Sequence, residues 1–486
     1  MVQAYYQQLN KLTGFKNFRP GQLETLTSLE SNDHVLSILA TGQGKTLIYT
    51  LYQAVHPGLC LVVSPLIALM EDQVSQLKKM GIKKVAALNS QLAESARISL
   101  LDQLASYQFL FISPEMLHQH SVLKQLQKIK ISLFVVDEAH CLIQWGYDFR
   151  PAYSQLGWIR QALAYPKTLA LTATASQADC HLIKKLLFRP EECMSLIKKS
   201  SDRPNIFYHF QEMPKADLSQ ALLSALDELP KPGLVYVHNK KEANQLSQLV
   251  SQALGLKTAP YHGDQSSQDR QAVLAQYLNQ ELDVIFATAA FGMGINQQQV
   301  RFVIHYHLPR TIKELSQEMG RAGRDGQQAL ALVFYNRDEF NRLNYFYQQK
   351  KEQESHFLSL IAAYLTGNLS PANYQHLDEA DQNLLSFYQH HFDQVEAAQC
   401  HYQTYLAKQA SQIAEIYHLL TRNHCYRQEL LAHFDDYNDG ENAFCCSHCQ
   451  AHFKESKYYR EFLAMNQVSQ SSTPLSWQKR LAQLFN

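Results

Sequence analysis

Neither sign of charge is in excess in this chain of 486 residues: 44 lysines and arginines face 44 aspartates and glutamates. No overall basic field draws in a polyanion, so any nucleic-acid contact must come from a local patch. Long apolar runs are missing too. No stretch is long enough to cross a bilayer, and the opening residues, MVQAYYQQLNKL, lack a basic segment followed by an apolar one. The expectation is a cytoplasmic protein with no membrane contact and no secretory signal. A disulfide framework is also absent. The nine cysteines are an odd count. Cys60, Cys141, Cys180, Cys193 and Cys400 are scattered, whereas Cys425, Cys445, Cys446 and Cys449 cluster. That usage fits a reducing compartment, buried thiols and one metal site. The length leaves room for about two to four domains with ample core.

What is present centres on Ser37–Thr46, SILATGQGKT. The apolar run His34–Leu39 reads as a buried strand. It breaks into a turn holding Thr41, Gly42 and Gly44, and Lys45-Thr46 opens an amphipathic helix. Strand, glycine turn and helix N-terminus together make a phosphate cradle: backbone N–H groups point inward and the helix dipole favours anions. Lys45 would reach the β- and γ-phosphates and Thr46 would hold Mg²⁺. Further on, the apolar strand Leu133–Val136 ends in Asp137-Glu138-Ala139-His140. An acidic pair at the end of a buried strand is costly unless it has chemistry to perform. Asp137 would anchor Mg²⁺ and Glu138 would polarise an attacking water, which makes ATP hydrolysis the expected reaction.

Other stretches admit two readings each. In Gly14–Gln22, GFKNFRPGQ, Gln22 either caps a helix start or reads an adenine edge through its carboxamide. The strands Leu59–Val63 and Phe109–Ile112 both close on Ser-Pro. Their loops, with Ser64 and Pro65, hold a nucleic-acid backbone or are plain turns at one edge of a parallel sheet. Cys141–Tyr153 gathers Trp145, Tyr147, Phe149 and Arg150 about Gly146. These rings stack on bases or tuck into the core.

Past the polar linker Ser201–Asn205, strands and helices alternate again. Strands are expected at Ile206–Phe210, Leu234–Val237, Val284–Thr288 and Phe302–Tyr306, giving a second doubly wound sheet. Gln317–Gly326, QEMGRAGRDG, spaces Arg321 and Arg324 three apart. Aimed across a cleft at the phosphates of Lys45, two such guanidiniums would act as arginine fingers.

These residues carry a family likeness. FRPGQ, TGQGKT, VVSPLIALMEDQV, ISPE, DEAHCLIQWGYDFRP, LTATA and SDRPN follow in order, and YHG, ATAAFGMGI, VRFVIHYHLPR and QEMGRAGRDG continue the pattern over nearly all of residues 10–335. The chain resembles superfamily 2 helicases and, within them, the RecQ DNA helicases. DEAH running directly into QWGYDFRP is the most specific piece. The resemblance implies two tandem RecA-like α/β lobes of doubly wound parallel sheet, at residues 1–200 and 201–340. It implies ATP and Mg²⁺ as cofactors and 3′→5′ translocation on single-stranded DNA, with unwinding of forked duplex for recombination, repair or replication. Gln22 then reads adenine, and Trp145, Phe149 and Arg150 couple hydrolysis to DNA. A nucleoid-associated monomer is expected, with single-stranded-DNA-binding protein as a candidate partner. The rival readings are an RNA helicase, a translocase that does not unwind, and a nucleic-acid-binding scaffold with a dead nucleotide site. Departures from the family pattern are Gln43 for a third Gly, Thr46 for Ser, and Asn296 for Asp.

The remainder, residues 341–453, is expected to be mostly helical and to bind zinc, with residues 454–486 as a tail. Ser411–Leu431 reads as one long helix carrying Cys425. With Cys446-x₂-Cys449-x₂-His452 it would complete a structural Cys₃His zinc site, Cys445 and His448 being rival ligands. RecQ proteins carry a zinc module here, usually with four cysteines. Residues 350–400 look like an inserted helical element. With only a short stretch after His452, the expectation is a chain without the winged helix or the family's further C-terminal domain, resembling the short bacterial, RecS-type members.

Overall fold

The computed structural model describes residues 1–31, 34–143, 151–289, 291, 297–437 and 444–470. Two parallel sheets carry the first part of the chain. In the first lobe the strands are β1 (His34–Ile38), β2 (Leu59–Val63), β3 (Val85–Leu88), β4 (Phe109–Ile112), β5 (Ile131–Val136), β6 (Thr168–Thr172) and β7 (Met194–Lys198). They lie in the order β3-β4-β2-β5-β6-β1-β7. The second lobe holds β8 (Ile206–Glu212), β9 (Gly233–Tyr236), β10 (Thr258–Tyr261), β11 (Val284–Ala287), β12 (Phe302–His305) and β13 (Ala329–Tyr335), ordered β10-β11-β9-β12-β13-β8.

Both sheets are buried on both faces, which is why their strands read as continuous apolar runs. Successive side chains alternate between two clusters. Leu36, Leu61, Val63, Phe134 and Val136 pack on one face of the first sheet. Val35, Cys60, Val62, Leu133 and Val135 pack on the other. The second sheet divides Tyr236, Ile285 and Val303 from Val235, Phe286 and Ile304 in the same way. Every pairing within the two sheets is parallel. The loops after β1, β2, β4, β5 and β6 therefore emerge on one edge, where ligands bind in such sheets.

Beyond β13 the chain is helical. Arg337–Glu352, Glu354–Leu365, Pro371–His376 and Glu379–His391 lead to the 27-residue helix Val395–Thr421. Helices from Glu354 to Thr421 share a core of their own, with Phe357, Ile361, Leu385, Phe387, Tyr388 and Leu406. The single helix expected over Ser411–Leu431 is in fact two. The first stops at Thr421, and Cys425 caps a separate helix, Tyr426–Ala432. Among the described residues no helix is long and apolar enough to cross a membrane.

The lobes are joined by polar links. Thr41 donates its hydroxyl to the carbonyl of Gly320 at 2.9 Å. Arg203, in the linker, donates to the carbonyls of Gly320 and Ala322 at 3.0 Å each and reaches Thr41 at 3.3 Å. Lys313 of the second lobe pairs with Asp179 of the first, both buried. Burial alone would raise the Asp179 pKa, but Lys313 and the Ser176 cap hold it below the ordinary carboxylate value. Asp179 therefore stabilises the fold above the ordinary carboxylate range and loses that contribution as pH falls through it. Lys313→Met, which strands a buried carboxylate, should cost about 3 kcal/mol at pH 7. The difference from the parent in thermal melts should narrow below about pH 4.

Candidate nucleotide site and metal cluster

The loop after β1 turns through Gly42 (φ 85°) and Gly44 (φ 73°), and Lys45 begins the helix Lys45–Val55. Both glycines occupy the left-handed region that a side chain resists. A Cβ on Gly44 would also lie 2.8 Å from Gln22 Nε2. The Gln22 carboxamide is buried and committed to this loop: it donates to the carbonyls of Gln43 (2.8 Å) and Gly44 (3.1 Å) and accepts from the Arg19 N–H (3.0 Å). In this state it fastens the cradle, and reading a base would require it to let go.

Asp137 and Glu138 follow β5. The Asp137 backbone is tied to Val63 and that of Ala139 to Leu171, across the neighbouring strands. Between them Glu138 adopts φ 48°, a conformation costing a non-glycine residue about 1–2 kcal/mol. Strain of this kind collects where a side chain must be aimed. Here it turns Glu138 toward Lys45, with Oε2 3.6 Å from Nζ. His140 continues the turn, its Nδ1 3.0 Å from the Thr172 hydroxyl and its Nε2 3.3 Å from Gln317 of the second lobe.

Arg321 and Arg324 complete the cluster from the second lobe. Arg324 packs on the loop, its Cβ 3.5 Å from where a Gly42 Cβ would stand. Burial opposes ionisation of Glu138, yet Lys45, His140, Arg321 and Arg324 hold its carboxyl below the ordinary value. Asp137 goes the other way: burial and the neighbouring Glu138 charge push it up to about 6. Burial, Arg321 and Arg203 push Arg324 down to about 9. Lys45 Nζ and the Nε and Nη1 of Arg321 are buried without a hydrogen-bond acceptor. Buried cations that converge from two lobes, with donor atoms to spare beyond Glu138, call for a polyanion. A triphosphate fits, with Thr46 and Asp137 as oxygen donors for Mg²⁺. In the structure the Thr46 hydroxyl donates to Gln73 at 2.9 Å. Ser64 is buried at the head of its loop, with a hydroxyl that meets no acceptor. Trp145, Phe149 and Arg150, like Asn296, lie outside the described residues.

The second cluster is Cys425, Cys445, Cys446 and Cys449, whose sulfurs lie within 4.8 Å of one another. Cys425 is 3.5 Å from Cys445 and 3.7 Å from Cys446, and Cys446 is 3.6 Å from Cys449. Tetrahedral Zn–S bonds of about 2.3 Å place sulfurs about 3.8 Å apart, so the set fits zinc. This corrects the Cys₃His expectation. His452 stands outside the cluster with its side chain 85% exposed, 3.6 Å from Glu455. The segment that brings in Cys445 pairs with β8: Tyr208 N–H donates to the Cys445 carbonyl and Ser447 N–H to the Tyr208 carbonyl. That pairing turns Cys445 inward, and spacing alone could not reveal it. Arg203, the linker residue that ties the lobes, also went unnoticed as an individual residue. Its position in SDRPN was the available signal.

A strand–loop–helix cradle faced by paired arginines from a second parallel-sheet lobe defines a two-lobed nucleotide-driven motor. Family models agree: residues 19–182 match the DEAD/DEAH box helicase model and residues 214–326 the helicase conserved C-terminal domain. The chain is 34% identical over 501 aligned positions to the probable ATP-dependent DNA helicase RecS of Bacillus subtilis, covering 99% of this chain and 97% of that one. It is 35% identical over 365 positions to the ATP-dependent DNA helicase RecQ of Haemophilus influenzae, covering 73% of this chain but 58% of the relative. The chain belongs to the RecQ family of ATP-dependent helicases. Among solved structures, Mss116p bound to single-stranded RNA and AMP-PNP shares the fold, with TM-score 0.59, 16% identity and coverage of 75% and 82%. The helicase MrfA bound to DNA and AMPPNP does so with TM-score 0.57, 17% identity and coverage of 69% and 50%.

One zinc per chain should be found by elemental analysis. Cys445→Ser should lose it, whereas His452→Ala should keep it.

Proposed function

We propose that this chain is an ATP-dependent DNA helicase that moves 3′→5′ on single-stranded DNA and separates duplexes in recombination, repair or replication. The observation that carries this reading is the set of buried cations, Lys45, Arg321 and Arg324, converging from both lobes on Glu138. Relatives named as DNA helicases, one matching 99% of the chain and another 73%, support the choice of DNA.

Lys45 and the loop N–H groups bind and orient the β- and γ-phosphates. Bound Mg²⁺, held by Thr46 and Asp137, would neutralise phosphate charge. Glu138, kept ionised by its cationic neighbours, accepts a proton from the attacking water. Arg321 and Arg324 stabilise charge that develops on the transferred phosphoryl group, and they do so only while the lobes are closed. Gln22 leaves the loop to take the adenine edge. Ser64 and Pro65 hold the DNA backbone, and Trp145, Phe149 and Arg150 stack against bases and report strand binding to Asp137 and Glu138. The four cysteines hold a structural zinc. The protein acts as a monomer in the cytoplasm at the nucleoid, with single-stranded-DNA-binding protein as a partner.

Lys45→Ala should abolish DNA-stimulated phosphate release, a loss of at least about a hundredfold, and leave DNA binding intact. Persisting turnover would remove the phosphate-cradle assignment. Strand displacement on substrates with single 3′ or 5′ overhangs reads the polarity: a 3′ overhang should support unwinding and a 5′ overhang should not. RNA in place of DNA should activate weakly.

A further inference from the structure

The Thr46 hydroxyl is held from outside the phosphate loop. Its proton goes to Oε1 of Gln73 at 2.9 Å, and the Tyr49 hydroxyl approaches the same oxygen at 3.4 Å. Gln73 is largely buried. A carboxamide oxygen has two lone pairs, and here two hydroxyls point at them. A threonine hydroxyl has one proton and two lone pairs. With the proton given to Gln73, the lone pairs of Thr46 are left for a cation, and the rotor is fixed before the cation arrives. Leucine would fill the same space, but it would leave the Thr46 proton free to rotate.

Gln73 lies on the helix Ile67–Lys79, whose start follows directly on Ser64-Pro65-Leu66. Two residues before Gln73, Glu71 accepts a hydrogen bond from Gln271 of the second lobe at 2.8 Å. One stiff element thus touches the loop offered to a nucleic-acid strand, the opposite lobe and the hydroxyl offered to Mg²⁺. A shift of that helix moves Oε1, and Thr46 feels it.

We propose that Gln73 is a positioning residue for the metal: it orients the Thr46 hydroxyl toward Mg²⁺ and makes that orientation depend on what the Ser64-Pro65 loop holds. This rests on Thr46 being a Mg²⁺ ligand.

The test uses the full chain, with Mn²⁺ as the probe and a non-hydrolysable ATP analogue bound. Electron paramagnetic resonance counts free Mn²⁺, and a fluorescent analogue reports nucleotide binding without metal. Gln73→Leu should weaken Mn²⁺ binding about tenfold, the worth of one well-placed hydrogen bond. Metal-free nucleotide affinity should not change. The stimulation of turnover by single-stranded DNA should fall by a larger factor than basal turnover. Gln73→Glu, which still accepts the proton, should restore Mn²⁺ binding to within about twofold of the parent. Gln73→Met, which keeps the length of the side chain without the oxygen, should behave as the leucine variant does and replaces it if leucine prevents folding. Parent-like Mn²⁺ binding and stimulation in Gln73→Leu or Gln73→Met overturns the inference. Lys45→Ala measured alongside separates the failures. Turnover surviving there defeats the cradle itself, whereas a dead Lys45→Ala beside parent-like Gln73 variants defeats only the role of Gln73.

Discussion

Positive charge in excess of its carboxylate partners, buried where the two lobes meet, is the constraint on which the rest of the structure depends. Lys45 comes from the first lobe and Arg321 and Arg324 from the second, and burial, with Arg321 and Arg203 beside it, pushes Arg324 down to about 9. Glu138 answers part of that charge and, for the same reason, stays ionised despite its burial. An arrangement with so many like charges in a low-dielectric space is costly by itself. It becomes favourable when an anion enters, and a triphosphate brings several negative charges at once. The electrostatics of the cleft therefore favour lobe closure around nucleotide over closure without it. The polar links Thr41–Gly320, Arg203–Gly320 and Lys313–Asp179 hold the lobes close enough for this charge to be felt across the cleft.

The cysteine cluster contributes to the same geometry from a distance. Arg427, two residues after Cys425, is fully buried and pairs with Asp202 in the linker. It also donates to the carbonyls of Arg203 and Phe444 at 3.0 Å each. Asp436 accepts from the Ser201 N–H at 2.6 Å, and Lys198 donates to the Phe434 carbonyl at 2.6 Å. The fold around the four cysteines therefore braces the linker that carries Arg203, and Arg203 in turn grips both the loop carrying Thr41 and the turn carrying Arg321. A small cavity of 40 Å³ sits among these parts, lined by Thr41, Thr174, Arg203, Gln317 and Arg427.

Much of this site could be read from the chain because its chemistry is local. Gly42, Gly44, Lys45 and Thr46 are fixed by one turn, Asp137 and Glu138 by one strand end, and Arg321 and Arg324 by one spacing. The central strands showed themselves as unbroken apolar runs, since both faces are covered. Of the edge strands, only β8 did. β3 and β7 are short and partly exposed, and β10 contains Pro260, which an edge tolerates but a pattern reader takes as a break. β13, ALALVFY, is a plain apolar run and could have been found. Cys445 over His452 was illegible because the choice depends on pairing with β8, more than 230 residues away by sequence. The break between Thr421 and Cys425 carries neither proline nor glycine, so no local signal marks it. The Thr46–Gln73 contact joins residues 27 apart and leaves no periodic trace.

The long helix Val395–Thr421 is the stiffest single object outside the sheets. It packs along Arg337–Glu352 and Glu354–Leu365 and touches Ile312–Met319 in the second lobe. The insert that shares its core places Glu379–His391 against Pro151–Ser154 of the first lobe. At 27 residues the rod is about 40 Å long, so a tilt of about 10° at one end sweeps the other through about 7 Å. Small rotations between the lobes are thus magnified at the far tip of the insert, and that tip rests on the segment that follows the aromatic stretch.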